Sequence, residues 1–119
     1  MTNDPSDGPI VYEIRYHPGA EQDLQDIYGR IRADIGPETA WAYVEQLRDE
    51  IEGLSHFPQR GRDRSREDMH VRLVASSDGR YNYVIRIYDD EKVVQVGRVW
   101  GGGTEPPLDN VRDGLDVSD

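Results

Sequence analysis

Cysteine is absent from the 119 residues, which removes disulfides and thiolate metal ligands together. Lysine is almost absent: Lys92 stands alone, and every other basic side chain is arginine. No apolar run approaches the roughly eighteen residues that a membrane helix requires, so no membrane partner is expected. The opening Met1-Thr2-Asn3-Asp4-Pro5 has neither the basic start nor the apolar stretch of a secretory signal, and the cytoplasm is the expected compartment. Three histidines are present, none at ligand spacing with the helix acids Asp23, Asp26, Asp49 and Glu50, so neither a metal nor another cofactor is expected. Gly101-Gly102-Gly103 lacks the Lys-Ser/Thr and the following helix that a phosphate loop needs.

Charge is abundant and uneven. The net charge is −10. Residues 20–58 carry nine acids against three arginines, and residues 105–119 carry five acids against Arg112. Residues 59–104 reverse the sign, with nine basic side chains against seven acids. An acidic chain disfavours direct nucleic-acid binding, while a local arginine cluster still suits phosphate or a carboxylate-rich partner. The length fits one small domain.

Periodicity divides the chain. Residues 10–17 alternate, with Ile10, Tyr12, Ile14 and Tyr16 on one face, which predicts a half-buried strand ended by Pro18 and Gly19. Residues 20–35 place Ala20, Leu24, Ile27, Tyr28, Ile31 and Ile35 at helical spacing. Gly36-Pro37 breaks that helix, and Pro37 suits the first turn of the next. Residues 37–54 carry a second stripe of Ala40, Tyr43, Val44, Leu47, Ile51 and Leu54. Residues 55–69 read as a polar connection. Three strands follow: residues 70–76 with Val71, Leu73 and Ala75 on one face, residues 81–88 with Tyr81, Tyr83, Ile85 and Ile87 on one face, and the valine-rich residues 92–100. Short turns between them imply an antiparallel meander. The expected fold class is α+β in the order β-α-α-β-β-β, a helical hairpin packed on a small antiparallel sheet. Residues 10–104 are expected to form the domain, preceded by a disordered lead (1–9) and followed by a loose acidic tail (105–119).

Several stretches occur in a telling order. They are Tyr12-Glu13-Ile14-Arg15-Tyr16-His17-Pro18-Gly19-Ala20, Asp23-Leu24-Gln25-Asp26-Ile27-Tyr28, and Leu54-Ser55-His56-Phe57-Pro58-Gln59-Arg60-Gly61-Arg62. Then come Val71-Arg72-Leu73, the strand from Tyr81 to Tyr88, and Val93-Val94-Gln95-Val96-Gly97-Arg98-Val99. Together they resemble the RelE/ParE (plasmid-stabilisation) toxins of type II toxin–antitoxin systems, and the Phe57–Arg62 stretch looks closer to the ParE branch. The resemblance implies a toxin neutralised by a cognate antitoxin, acting by binding a target such as DNA gyrase. It also admits a homodimer. A RelE-like ribosome-dependent mRNA endonuclease is the alternative, and a degenerate toxin that keeps only antitoxin binding is another.

An RNase of the RelE kind needs a base for the 2′-hydroxyl and cations for the phosphorane charge. By resemblance, His70 and Arg72 fall where two sheet lysines belong, Tyr83 where a sheet arginine belongs, and Gly103 where a late arginine belongs; no tyrosine follows Tyr88. The set is mostly missing, so no catalytic residue is assigned. The glycines after Trp100 also stand where the family usually has a basic segment. The candidates for target or antitoxin binding are Arg60, Arg62, Arg72, Arg98 and Trp100. Arg60, Arg62, Arg64 and Arg66 form either a cationic grip or a solvated loop neutralised by Asp63, Glu67 and Asp68. Arg72, Arg86 and Arg98, on successive strands, form either a cationic patch or cross-strand pairs. Trp41 is expected at the core edge, and Trp100 either anchors a partner or caps the core.

Overall fold

The switch from period two to period 3.6 at Pro18 is a switch of element. In the computed structural model, which describes residues 10–65 and 69–101, strand β1 (Glu13–Tyr16) runs directly into helix α1 (Pro18–Asp34). Pro18 supplies a φ already suited to a helix. His17 caps the helix, its Nδ1 accepting the Gly19 N–H at 2.9 Å. Gly36, at φ 149°, makes the break between the helices in a backbone conformation closed to other residues. Helix α2 (Pro37–Glu52) follows and tightens into a 3₁₀ turn at Gly53–Ser55.

The two helical stripes bury Ala20, Leu24 and Ile27 from α1 and Val44, Leu47, Ile51 and Leu54 from α2 and its terminal turn. They pack on one face of a five-stranded sheet. That sheet also contains β2 (Arg62–Asp63), β3 (Val71–Ala75), β4 (Tyr81–Tyr88) and β5 (Val93–Gly101), in spatial order β1-β5-β4-β3-β2. Tyr81, Tyr83, Ile85 and Ile87 of β4 face the helices together with Val94, Val96 and Val99 of β5. Each aliphatic side chain so buried contributes about 1.5–3 kcal/mol.

The α+β hairpin-on-sheet architecture is the expected one, with two additions. β2 through β5 are antiparallel, but β1 joins β5 in parallel, Glu13 opposite Val93 and Tyr16 opposite Val96. A parallel pair requires a long crossover, and the helices with the later strands supply one. The connection expected over residues 55–69 contains β2, whose Arg62 lies opposite Leu73.

The opposite face of the sheet has its own small apolar cluster: Val71, Val84 and Trp100, with Met69 and Leu73 beside them. β3 thus gives Val74 to the main core, while Val71 and Leu73 face away from the helices. Opposite Val84 and Ile85 the register skips one residue of β5, Gly97, so that Arg98 and Val99 are re-aimed relative to Val96. Trp41, expected at the core edge, is 62% exposed because its place on α2 turns it away from the sheet. No helix among the described residues is long and apolar enough to cross a membrane. The lead (1–9) and the tail (105–119) lie outside the described residues.

Candidate functional site

The basic segment after α2 is fixed by one arginine. The Arg72 guanidinium, on β3, donates Nε to the Arg60 carbonyl at 2.7 Å, Nη2 to the Gly61 carbonyl at 2.9 Å and Nη1 to Gln59 Oε1 at 3.2 Å. Planar donors in a fixed fork suit such a multiple grip. Gly61 sits at φ 78°, and a Cβ there would meet the Leu73 carbonyl oxygen at 2.1 Å. Only glycine fits both the angle and the space. At the other end Arg64 donates its N–H to the Val71 carbonyl at 2.7 Å, and Val71 donates to Ser65 Oγ at 3.1 Å.

Asp63 makes no ion pair with its arginine neighbours among the described residues. Its carboxylate accepts the Ser65 N–H at 2.8 Å, and hydrogen bonding from the Ser65 side chain first and from its backbone second holds its pKa below the usual carboxylate value. Arg60, Arg62 and Arg64 are exposed and have no ion pair among the described residues, whereas Arg15, Arg48, Arg80 and Arg98 each sit on a carboxylate. Arg66, Glu67 and Asp68 lie outside the described residues.

The other predicted residues are placed elsewhere. Arg98 turns to α1, donating Nε and Nη2 to the two oxygens of Asp23 at 2.7 and 3.0 Å. Asp23 also accepts the Val99 N–H at 2.8 Å, and the hydrogen bond from Arg98 raises the arginine's pKa. Gly19 leaves room for this reach, since a Cβ would stand 3.1 Å from Arg98 Cδ. Arg98 therefore does not join Arg72 in one patch. Arg86 stacks over the Tyr88 ring at 4.7 Å. Trp100 is 9% exposed in the outer-face cluster, which is the capping alternative rather than the exposed anchor.

The positions matched to RelE-like chemistry that lie among the described residues are engaged. His70 Nδ1 lies 3.1 Å from Asp89 Oδ2, and Asp89 Oδ1 accepts the Tyr12 hydroxyl at 3.0 Å. Those contacts, the histidine first, hold the Asp89 carboxyl below its ordinary value. Tyr83 is 1% exposed, and burial pushes its phenol up to about 12. Gly103 lies outside the described residues. No group of three His, Asp or Glu side chains able to hold a metal occurs among the described residues.

Asp23, Asp89 and Gln59 were not singled out as partners by sequence. Each acts on a residue distant in the chain, and helical position alone marked Asp23 as a solvated acid. Exposed Phe57, at 67%, is a further feature that periodicity did not flag.

A helical hairpin on a five-stranded sheet, with an arginine-rich edge, defines a small α+β domain. The family model described as the ParE toxin of the type II toxin–antitoxin system parDE matches residues 14–106, and the chain belongs to that family. It is a toxin of a type II toxin–antitoxin system. Among solved structures, the chromosomal ParDE system from P. aeruginosa is similar at 22% identity and TM-score 0.63, covering 75% of this chain and 94% of that one. Two structures of E. coli RelE share the fold. An arginine-substituted mutant in the free state matches at 14% identity and TM-score 0.57, over 88% of this chain and 94% of its own. The isolated toxin matches at 15% and 0.55, over 86% and 96%. Among curated proteins none matches the sequence.

Proposed function

We propose that this toxin acts by binding a protein target of the DNA gyrase kind, and that a cognate antitoxin holds it inactive. The observation that carries the reading is the state of the sheet positions where a RelE-type nuclease needs reactive cations. Arg72 is spent on three backbone and side-chain oxygens, and Tyr83 is buried in the core. A buried phenol cannot meet a phosphate, and a guanidinium with three of its five N–H donors turned to Gln59, Arg60 and Gly61 is aimed at its own chain rather than at a substrate. The similarity to a solved ParDE system supports an antitoxin partner. Arg60 and Arg62 are the partner-facing residues in this reading, while Arg72 and Arg98 position their surroundings.

Induction of the gene alone is expected to arrest bacterial growth, with rescue by the adjacent small reading frame. Plasmid supercoiling in arrested cells is expected to change, and primer extension on cellular mRNA to show no new cuts. New mRNA ends with unchanged supercoiling would establish the nuclease alternative. Absence of arrest at confirmed expression would rule out a working toxin, and binding of the neighbouring frame's product would then mark a chain that keeps only antitoxin binding.

A further inference from the structure

We infer that the open edge of β2 is a docking strip for an extended, acidic segment of a partner protein. The inference rests on the reading above that the chain works through protein partners. Among the described residues β2 stands last in the sheet and pairs only with β3. Arg64 gives its N–H to Val71, so strand alternation turns the backbone N–H and C=O of Asp63 away from β3 toward the open edge. Unpaired strand edges take an added strand, with backbone hydrogen bonds giving affinity and side chains giving selection.

Charge selects the occupant. Arg60, Arg62 and Arg64 flank that edge, exposed and without a carboxylate among the described residues, and Asp63 is committed to Ser65. Gly61 and the Arg72 grip fix the backbone beforehand, so few rotamers and no loop need ordering on binding. Carboxylates spaced along an extended peptide meet these guanidinium groups in charge-assisted hydrogen bonds. A nucleic acid is the poorer match. Its sugar–phosphate backbone has no ladder of N–H and C=O groups to pair with a strand edge, whereas an acidic peptide has both the ladder and the carboxylates.

The test is fluorescence anisotropy of a short labelled polyglutamate peptide titrated with the full chain, beside a polyglutamine peptide and an oligoribonucleotide of similar length. The wild-type protein is expected to bind polyglutamate, weakening with salt. The double variant Arg62→Gln/Arg64→Gln is expected to bind roughly tenfold more weakly. The control Arg15→Gln/Arg80→Gln removes the same charge from arginines already paired, and is expected to leave binding unchanged. Absence of polyglutamate binding, equal weakening by both double variants, or tighter binding of the oligoribonucleotide would each overturn the inference. Amide shifts of residues 60–65 on adding polyglutamate to wild-type protein give the same answer without a variant, and shifts elsewhere only would also overturn it. Growth arrest is a separate readout, so the strip and the toxin reading fail independently.

Discussion

Asp23 accepts three hydrogen bonds on one carboxylate, two from Arg98 and one from the Val99 backbone. Its side chain is 12% exposed and that of Arg98 23%, so water replaces little of this pairing. Asp23→Asn keeps the shape, removes the charge and turns an amide toward donors. A loss of about 1–3 kcal/mol in urea unfolding is expected; a loss below about 0.5 kcal/mol would make the pair an ordinary surface ion pair. Gly61 is the second sensitive position. Gly61→Ala adds an atom 2.1 Å from the Leu73 carbonyl oxygen at a positive φ, and about 1–3 kcal/mol of strain is expected, read as a lowered melting temperature. Unchanged melting would mean that β2 detaches from β3 at no cost. At this scale the sequence was partly legible. Arg60 and Arg62 lie on the surface as a charged loop implies. The destination of Arg98 was not legible, because its partner lies on α1 and strand alternation says nothing about helix contacts.

Helix α1 contains a glycine that packs nowhere. Gly29 lies in the helix interior, exposed, and an added Cβ would have nothing within 4 Å. Gly29→Ala removes backbone entropy from the unfolded chain and is expected to raise stability by about 0.5–1 kcal/mol. A destabilised variant would show that this surface is packed in solution. The helices were the most readable elements, since the stripes from Ala20 to Ile31 and from Ala40 to Leu54 repeat over several turns. Ile35, at the end of the first stripe, is nevertheless 70% exposed, because the hairpin turn carries it past the sheet. Strands were readable as strands, but their faces less so. β3 alternates apolar residues on both sides, and the two sides fill two different clusters. β2 has two residues, too few for any period to register. The skipped residue is Gly97, and an isolated glycine inside a valine-rich strand is a sign of a bulge that the alternation of faces passes over.

Across the whole molecule, tyrosines join the layers. Tyr16 of β1 donates its hydroxyl to Glu52 of α2 at 3.1 Å, and Tyr43 of α2 donates to Asp78 of the β3–β4 turn at 2.8 Å. Tyr83 lies between helices and sheet. Burial is the leading cause that raises all three phenols above their ordinary value. A raised pKa means the native state holds the proton more tightly than the unfolded chain. The contribution is therefore complete below about pH 10 and is lost as pH rises through the native values. The urea midpoint is expected to fall between about pH 8 and about pH 11. Tyr16→Phe is expected to remove its share of that fall, and an unchanged midpoint would mean that these hydroxyls ionise freely.

The parallel register of β1 with β5 also sets a sequence of events in the cell. Glu13 has no strand to pair with until Val93 has been made, and Asp23 has no cation until Arg98 has. A ribosome therefore releases most of this protein before β5 exists, and the helical hairpin waits with part of its apolar face uncovered. Closing such a distant pair is slow relative to local helix formation. That delay gives a newly made chain an interval in which the sheet beneath the hairpin is incomplete, and any chain cut short before β5 never pairs β1 at all.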